Sequence, residues 1–305
     1  CRSGESPSRR GSAWVLRLNE PARNVSSLPV VAFTGLCYHP LVPNDDITAI
    51  GEAFEDQVFI DLPRIPGPGE EIKTDRFLRT FGGGVVITAI AAARFRLQCR
   101  VISGLSPLAV TRLKHEGVAV RNLRRPGEPY AISVAISTRK DRSFVTFNGI
   151  NSILEERLIG PARRARSNHV HLAFCPRDCS RWVEVVESLD RRGVSTSWDF
   201  GWNECLLEDP HFPELLGTVE FLFINEQEAL LYSRQGSLRQ AEDYWLRQAR
   251  NTVLKLGPRG SRWLSPDIRI DAPPIRVEAL DTTGAGDAFN GGFLAGVVKR
   301  KTPME

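Results

Sequence analysis

Short apolar runs alternating with helix-periodic segments constrain this chain more than any other feature. His169–Phe174, Val194–Trp198, Phe221–Ile224 and Thr252–Leu256 have strand length and strand composition. Arg181–Arg191, Glu226–Tyr232 and Leu238–Arg250 lie between or beside them with apolar residues at helical spacing. The same rhythm runs through the first half. Thr48–Ile60 reads as a strand region, and Gly82–Phe95 as a glycine loop entering an Ala- and Ile-rich helix. Arg100–Ser103 reads as a strand, Ser106–Glu116 as a helix stopped at Gly117, and Val118–Leu123 as a further strand. Parallel strands need crossover helices, and such a sheet is covered on both faces. The expectation is an α/β fold with a doubly wound, mainly parallel sheet and helices on both faces. Tyr130–Phe147 breaks the rhythm. Ile132, Val134 and Ile136 alternate with polar or small residues, and Phe144 and Val145 follow the turn Arg139-Lys-Asp-Arg142. This is a β-hairpin, expected outside the main sheet as a small β-sheet lid.

Bulk composition narrows the function classes. Apolar residues make up 42% of the 305 residues and charged residues 25%, as in globular proteins. No apolar run is long enough to span a bilayer, so no membrane role is expected. The net charge of +4 is dispersed, and no basic face clusters as nucleic-acid binding would require. The cysteines form no zinc-ligand pattern, and free thiols in a cytoplasmic protein are expected. Residues 1–47 are rich in Arg, Ser and Pro without periodicity and read as a disordered extension. The organised domain is placed at 48–305, with lid strands drawn from about 52–60 and 130–147.

One segment carries chemistry. Asp281-Thr-Thr-Gly-Ala-Gly-Asp287-Ala-Phe-Asn-Gly-Gly292 follows a strand-like run around Val277 and enters a helix over Ala288–Val298. A glycine-rich turn at a helix N-terminus offers unpaired N–H groups and the positive end of the dipole, which together bind anions. Gly284 and Gly286 permit close backbone approach to a phosphate. A carboxylate beside such a site suits a general base, and Asp287 is the candidate. A helix cap with two turn glycines is the structural alternative.

The same segment resembles the C-terminal signature of the ribokinase-like (PfkB) carbohydrate kinases. Further segments resemble family motifs in the family's order: Gly51-Glu-Ala-Phe-Glu-Asp56, Leu62-Pro-Arg-Ile-Pro-Gly-Pro-Gly-Glu70, Gly82-Gly-Gly84 with Thr88–Arg94, Asn225-Glu-Gln-Glu228 and Lys255-Leu-Gly-Pro-Arg-Gly260. The resemblance implies an ATP-dependent transfer of a phosphoryl group to a hydroxyl of a sugar or sugar acid. It implies Asp287 as base and Gly284, Ala285 and Gly286 as an anion hole. It implies Asp56, Gly82, Gly83 and Asn151 at the acceptor. Asn225, Glu228, Lys255, Gly257 and Gly260 fall on the nucleotide side, with Glu228 serving Mg2+ through water. Asp281 and Thr283 match positions near a monovalent cation such as K+. Family lids often pair between subunits, which implies a homodimer.

Three departures shape the expectations. Ile87 stands where the family's first signature carries a substrate-binding Asn. The family's Gly-Asp-Asp segment is missing after Gly104. The sequence ends at Glu305, short of the family's last helices, so an open nucleotide cleft is expected. A catalytically impaired ligand-binding relative and a nucleoside kinase remain as alternatives. His169 and His171 alternate on one strand and can share a face, and Asp199 ends a strand that should reach the cleft.

Overall fold

The computed structural model describes residues 45–138, 142–277 and 282–302. Two sheets organise it. The first is a nine-stranded sheet made from β1 (Asp45–Gly51), β4 (Cys99–Ser103), β5 (Ala119–Asn122), β8 (Ser167–Ala173), β9 (Ser195–Asp199), β10 (Phe221–Asn225), β11 (Thr252–Lys255), β12 (Ser261–Ser265) and β13 (Ile268–Ala272). Its spatial order is β13-β12-β11-β10-β9-β8-β1-β4-β5. β12 and β13 are antiparallel additions at one edge; the other neighbours run parallel.

The helices cover both faces, as expected. α1 (Gly84–Arg94), α2 (Pro107–His115) and α8 (Ala285–Val298) pack on one face around Ile47, Val101, Phe223 and Leu294. α3 (Asn151–Arg163), α4 (Cys179–Asp190), α5 (Phe212–Thr218), α6 (Glu226–Ser233) and α7 (Leu238–Gln248) cover the other around Trp182, Trp198 and Trp245. Most of the sequence-derived elements appear within a few residues of their expected ends. The run around Val277 does not: residues 273–277 form no strand, and Val277 is exposed.

The Thr48–Ile60 region holds two strands rather than one. β1 ends at Gly51, and β2 (Phe54–Leu62) leaves for a separate four-stranded sheet ordered β3-β2-β6-β7. β3 is Phe77–Gly82, β6 Ile132–Thr138 and β7 Arg142–Phe147. The break has a steric cause. A Cβ at residue 51 would lie 2.2 Å from the Ala173 carbonyl oxygen, so the glycine lets β1 run against β8 while the chain turns away. The smaller sheet has a parallel central pair, β2 with β6, and antiparallel pairs outside it. The expected hairpin therefore lies outside the main sheet, joined by β2 from the Thr48–Ile60 region and by β3, a strand the sequence pattern did not mark.

Chain order in the main sheet runs outward from the β1–β8 contact in both directions. At such a switch point the following loops separate and leave a crevice beyond the strand C-termini, the usual ligand site of open α/β sheets. Here that edge is formed by Gly51, Glu52 and Ala173, with the Glu52 amide donating to the Ala173 carbonyl at 3.1 Å.

Candidate active site

A cleft of about 720 Å³ opens at this switch point. Glu52, Gly84, Ala173, Arg177, Asp199 and Asp287 are among its walls, with Phe54, Phe200 and Trp202 as aromatic surfaces.

Asp287 stands in the first turn of α8, whose N-cap Gly284 is left-handed at φ 72°. A Cβ there would lie 2.6 Å from Ile87 Cδ1, so α1 and the turn meet only because residue 284 is glycine. Ile87 thus packs on the turn rather than offering a polar contact. α8 also lies close along α1: a Cβ at Gly291 would sit 2.5 Å from the Thr88 carbonyl oxygen. Thr88 Oγ1 donates to the Asp287 carbonyl at 3.0 Å, fixing the helix start. The Asp287 carboxylate reaches Gly84, where an added Cβ would lie 3.3 Å from Oδ1. Burial raises its pKa from an ordinary 3.8 to about 7, and the nearby Asp199 charge adds to the effect while Lys255 opposes it.

Lys255 and Asp199 form the electrostatic support of this turn. Lys255 Nζ donates to Asp199 Oδ2 at 2.7 Å, with side chains only 16% and 11% exposed. Asn290 Nδ2 donates to the same oxygen at 2.8 Å. Burial opposes ionisation of Asp199, but Lys255 and Asn290 outweigh it and hold the pKa below the usual carboxylate value. Burial likewise works against the Lys255 charge, and Asp199 more than offsets it, so the ammonium is retained. Lys255 Nζ would lie 3.4 Å from a Cβ at Gly286. A fixed positive charge thus sits against the helix N-terminus, where an anion would bind.

Asn225 and Glu228 open α6 as a capping box. The Glu228 amide donates to Asn225 Oδ1 at 2.9 Å, and the Asn225 amide donates to Glu228 Oε2 at 2.9 Å. One Glu228 oxygen stays outside that exchange. Burial, then the Asp199 charge, raises the pKa of Glu228. The helix-cap reading and a ligand-facing role are therefore compatible in one residue.

The remaining expected positions spread around these. Gly82 ends β3, and a Cβ there would meet Asp56 Oδ2 at 2.1 Å; the half-buried Asp56 has its pKa raised by desolvation. Gly83, at φ 98°, caps α1 against the Glu52 carbonyl. Asn151 begins α3, is buried, and donates from Nδ2 to the Ala53 carbonyl at 3.3 Å, so it ties the β1–β2 junction to that helix. Gly257 and Gly260 bound the turn between β11 and β12 with positive φ. Thr283 accepts a hydrogen bond from Arg142 of the lid strand β7. Asp281 lies outside the described residues. His169 and His171 do share a face but are fully buried, bonded to Ser195 and Ser197. Burial depresses their pKa values to about 3 and about 4, so both are neutral. Among the described residues no group of three or more His, Cys, Asp or Glu gathers around a point as a metal cage. Cys99, Cys175, Cys179 and Cys205 are free thiols.

Sequence reasoning passed over Glu52 and Arg177. Both face the cleft. The signal was present: each follows the C-terminal end of one of the two strands at the switch point, Glu52 directly after β1 and Arg177 four residues after β8.

Comparison with known proteins agrees with this architecture. The model of the pfkB family carbohydrate kinases matches residues 44–305, and the chain belongs to that family. It is 24% identical over 245 residues to an ATP-dependent ribose-1-phosphate kinase of Halopiger xanaduensis, covering 78% of this chain and 80% of that one. It is 23% identical over 262 residues to a nucleoside kinase of Methanocaldococcus jannaschii, covering 84% of each. Arabidopsis thaliana ribokinase, solved with ribose and ATP, superposes with a TM-score of 0.70 at 22% identity, covering 85% of this chain and 87% of that one. The protein is an ATP-dependent kinase of the carbohydrate class, and no described helix is long and apolar enough to cross a membrane.

Proposed function

We propose that the protein moves the γ-phosphoryl group of ATP to a hydroxyl of a sugar-like acceptor held in the switch-point cleft, with Asp287 as the base. One observation carries the reading: a half-buried carboxylate faces the cleft from the first turn of a helix whose glycine-capped N-terminus is free of side-chain capping. The Asp287 carboxylate takes the acceptor hydroxyl's proton as the oxygen attacks phosphorus, and the bond to the bridging oxygen breaks, releasing ADP. The N–H groups of Gly284 and Gly286 receive the developing negative charge, and Lys255 reinforces them from behind. Ala285, expected beside them, donates its N–H to the Thr282 carbonyl at 3.1 Å and would join only if that turn opened around the phosphate. Asp56, with Gly82, Gly83 and Asn151, shapes the acceptor end.

Asn225, Glu228, Gly257 and Gly260 frame the nucleotide side in this reading. The uncommitted Glu228 oxygen fits a Mg2+ ion held through water, since Mg2+ retains much of its hydration and needs few protein ligands. Bound there, Mg2+ would neutralise phosphate charge. Thr283, on the glycine turn, is the described candidate for a K+ neighbourhood. The lid reaches that turn through Arg142, which suits a cover excluding water. Exposed Phe77, Phe144, Val145 and Phe147 on the lid support pairing of two lids in a homodimer. Free thiols among the described residues and the family's chemistry support a cytoplasmic setting. The kinase domain starts earlier than the expected residue 48, because β1 begins at Asp45 and the family match at residue 44, and the residues before these are proposed as an extension outside it. The reading is tested by coupled ADP release: turnover should require an acceptor, and its absence with sugars and nucleosides alike would remove the reading.

A further inference from the structure

Two charged side chains in the cleft take no part in the mechanism above. Glu52 has no hydrogen bond or ion pair from its carboxylate among the described residues, although its backbone is pinned by the Ala173 carbonyl at 3.1 Å and by close contact with Gly83. Arg177 donates from Nη2 to the Ser152 carbonyl at 2.5 Å and forms no ion pair among the described residues. The neighbouring Glu155 is committed elsewhere: it accepts the Arg177 amide at 3.1 Å and Trp182 Nε1 at 2.8 Å.

The other acids of the cleft are also occupied. Asp199 is neutralised by Lys255, and Asp209 accepts the amides of Cys179 and His211 at 2.9 and 2.8 Å. Three groups without an ion-pair partner among the described residues therefore line the cleft: Asp287, Glu52 and Arg177. A half-buried carboxylate left without partners carries a desolvation cost, and a ligand donor group would relieve it. Burial accordingly raises the pKa of Glu52 to about 7, against the pull of Arg177.

We infer that Glu52 and Arg177 select a neutral, polyhydroxylated acceptor, whose hydroxyl groups donate to the Glu52 carboxylate and accept from the Arg177 guanidinium. The inference rests on the kinase reading and names the substrate class of that same cleft. A hydroxyl is both donor and acceptor, so one acceptor molecule can satisfy both side chains at once. An anionic acceptor, such as a sugar acid or a sugar phosphate, would gain Arg177 but, above about pH 7, meet the ionised carboxylates of Glu52 and Asp287. Space is not limiting: about 720 Å³ admits a glycoside as well as a single sugar ring.

The test is coupled ADP release with D-ribose and adenosine as neutral probes and D-gluconate and ribose 5-phosphate as anionic ones. Wild type is compared with Glu52→Gln, Glu52→Ala and Arg177→Gln, each checked for native circular dichroism. The neutral probes should give the higher kcat/KM. Glu52→Ala and Arg177→Gln should each raise the neutral acceptor's KM about 10- to 100-fold, the worth of one hydrogen bond to a charged group. Their kcat should stay within about threefold and the KM for ATP unchanged, because neither residue touches the transferring group. Glu52→Gln, which keeps the shape and one acceptor oxygen, should fall between. An unchanged acceptor KM in Glu52→Ala and Arg177→Gln would overturn the inference while leaving the kinase reading standing. So would a preference for the anionic probes that Arg177→Gln abolishes and Glu52→Gln improves. No ADP release with any probe would instead count against the kinase reading itself and take this inference with it.

Discussion

Holding Asp287 as a largely desolvated base costs stability, and that cost is measurable. The group titrates at 3.8 in an unfolded chain and at about 7 in the folded one. The native state therefore binds the proton more tightly. Below pH 3.8 both states are protonated and no penalty exists. Between 3.8 and about 7 the unfolded state ionises first, so stability falls as pH rises, and above about 7 the full penalty applies. Three pKa units at 1.36 kcal/mol each set that penalty at about 4 kcal/mol, as an order of magnitude. Asp287→Asn removes the charge and keeps the shape. It should therefore unfold at higher urea concentration than wild type at pH 8, with the difference shrinking markedly by pH 5. The measurement is urea denaturation of both proteins across that pH range, free of nucleotide. If the two midpoints differ by the same amount at pH 5 and pH 8, or if wild type is the more stable at pH 8, the desolvated, charge-crowded environment assigned to Asp287 is wrong.

Other perturbations give distinct outcomes. In the free wild-type enzyme kcat/KM should fall about tenfold per pH unit below about 7, because Asp287 must be ionised to accept a proton; a flat profile from pH 5 to 8 would exclude it as the base. Lys255→Met strands the buried Asp199 charge and should destabilise the protein by about 3–5 kcal/mol in urea, with Asp199→Asn restoring part of the loss in the double variant. Gly284→Ala forces a Cβ to within 2.6 Å of Ile87 Cδ1 at a left-handed backbone, and should impair turnover more than folding. Trimming Ile87 to Ala in the same chain should recover activity, and no recovery would mean that this contact does not shape the anion turn.

Much of the fold was legible because one physical rule dominates it: strands buried on both faces read as continuous apolar runs, and crossover helices show their own period. The lid was legible through its alternation at Ile132, Val134 and Ile136. Elsewhere local sequence gave weak signals. α3 carries Gly160 and Pro161 near its end, which mask its periodicity. β12 and β13 are short edge strands around the Ser265-Pro-Asp267 turn. The split of Thr48–Ile60 depends on a carbonyl of Ala173, more than a hundred residues away, that forbids a side chain at Gly51. The anion turn and Asp287 stood out because glycines and a carboxylate adjoin in sequence. The Lys255–Asp199 pair did not, since it joins two strands 56 positions apart. Asp56 drew attention within its motif, whereas Glu52 gained meaning only once β1 and β8 were seen to meet at the switch point.

The proposed chemistry turns on one step: an acceptor hydroxyl gives its proton to Asp287 as its oxygen attacks ATP. The most direct measurement is steady-state ADP release with the best acceptor, for wild type and Asp287→Asn, alongside calorimetric binding of that acceptor. Wild type should show acceptor-dependent turnover, and the variant a kcat lower by about 10²- to 10⁴-fold with nearly unchanged acceptor affinity. Equal turnover by the two proteins would contradict it.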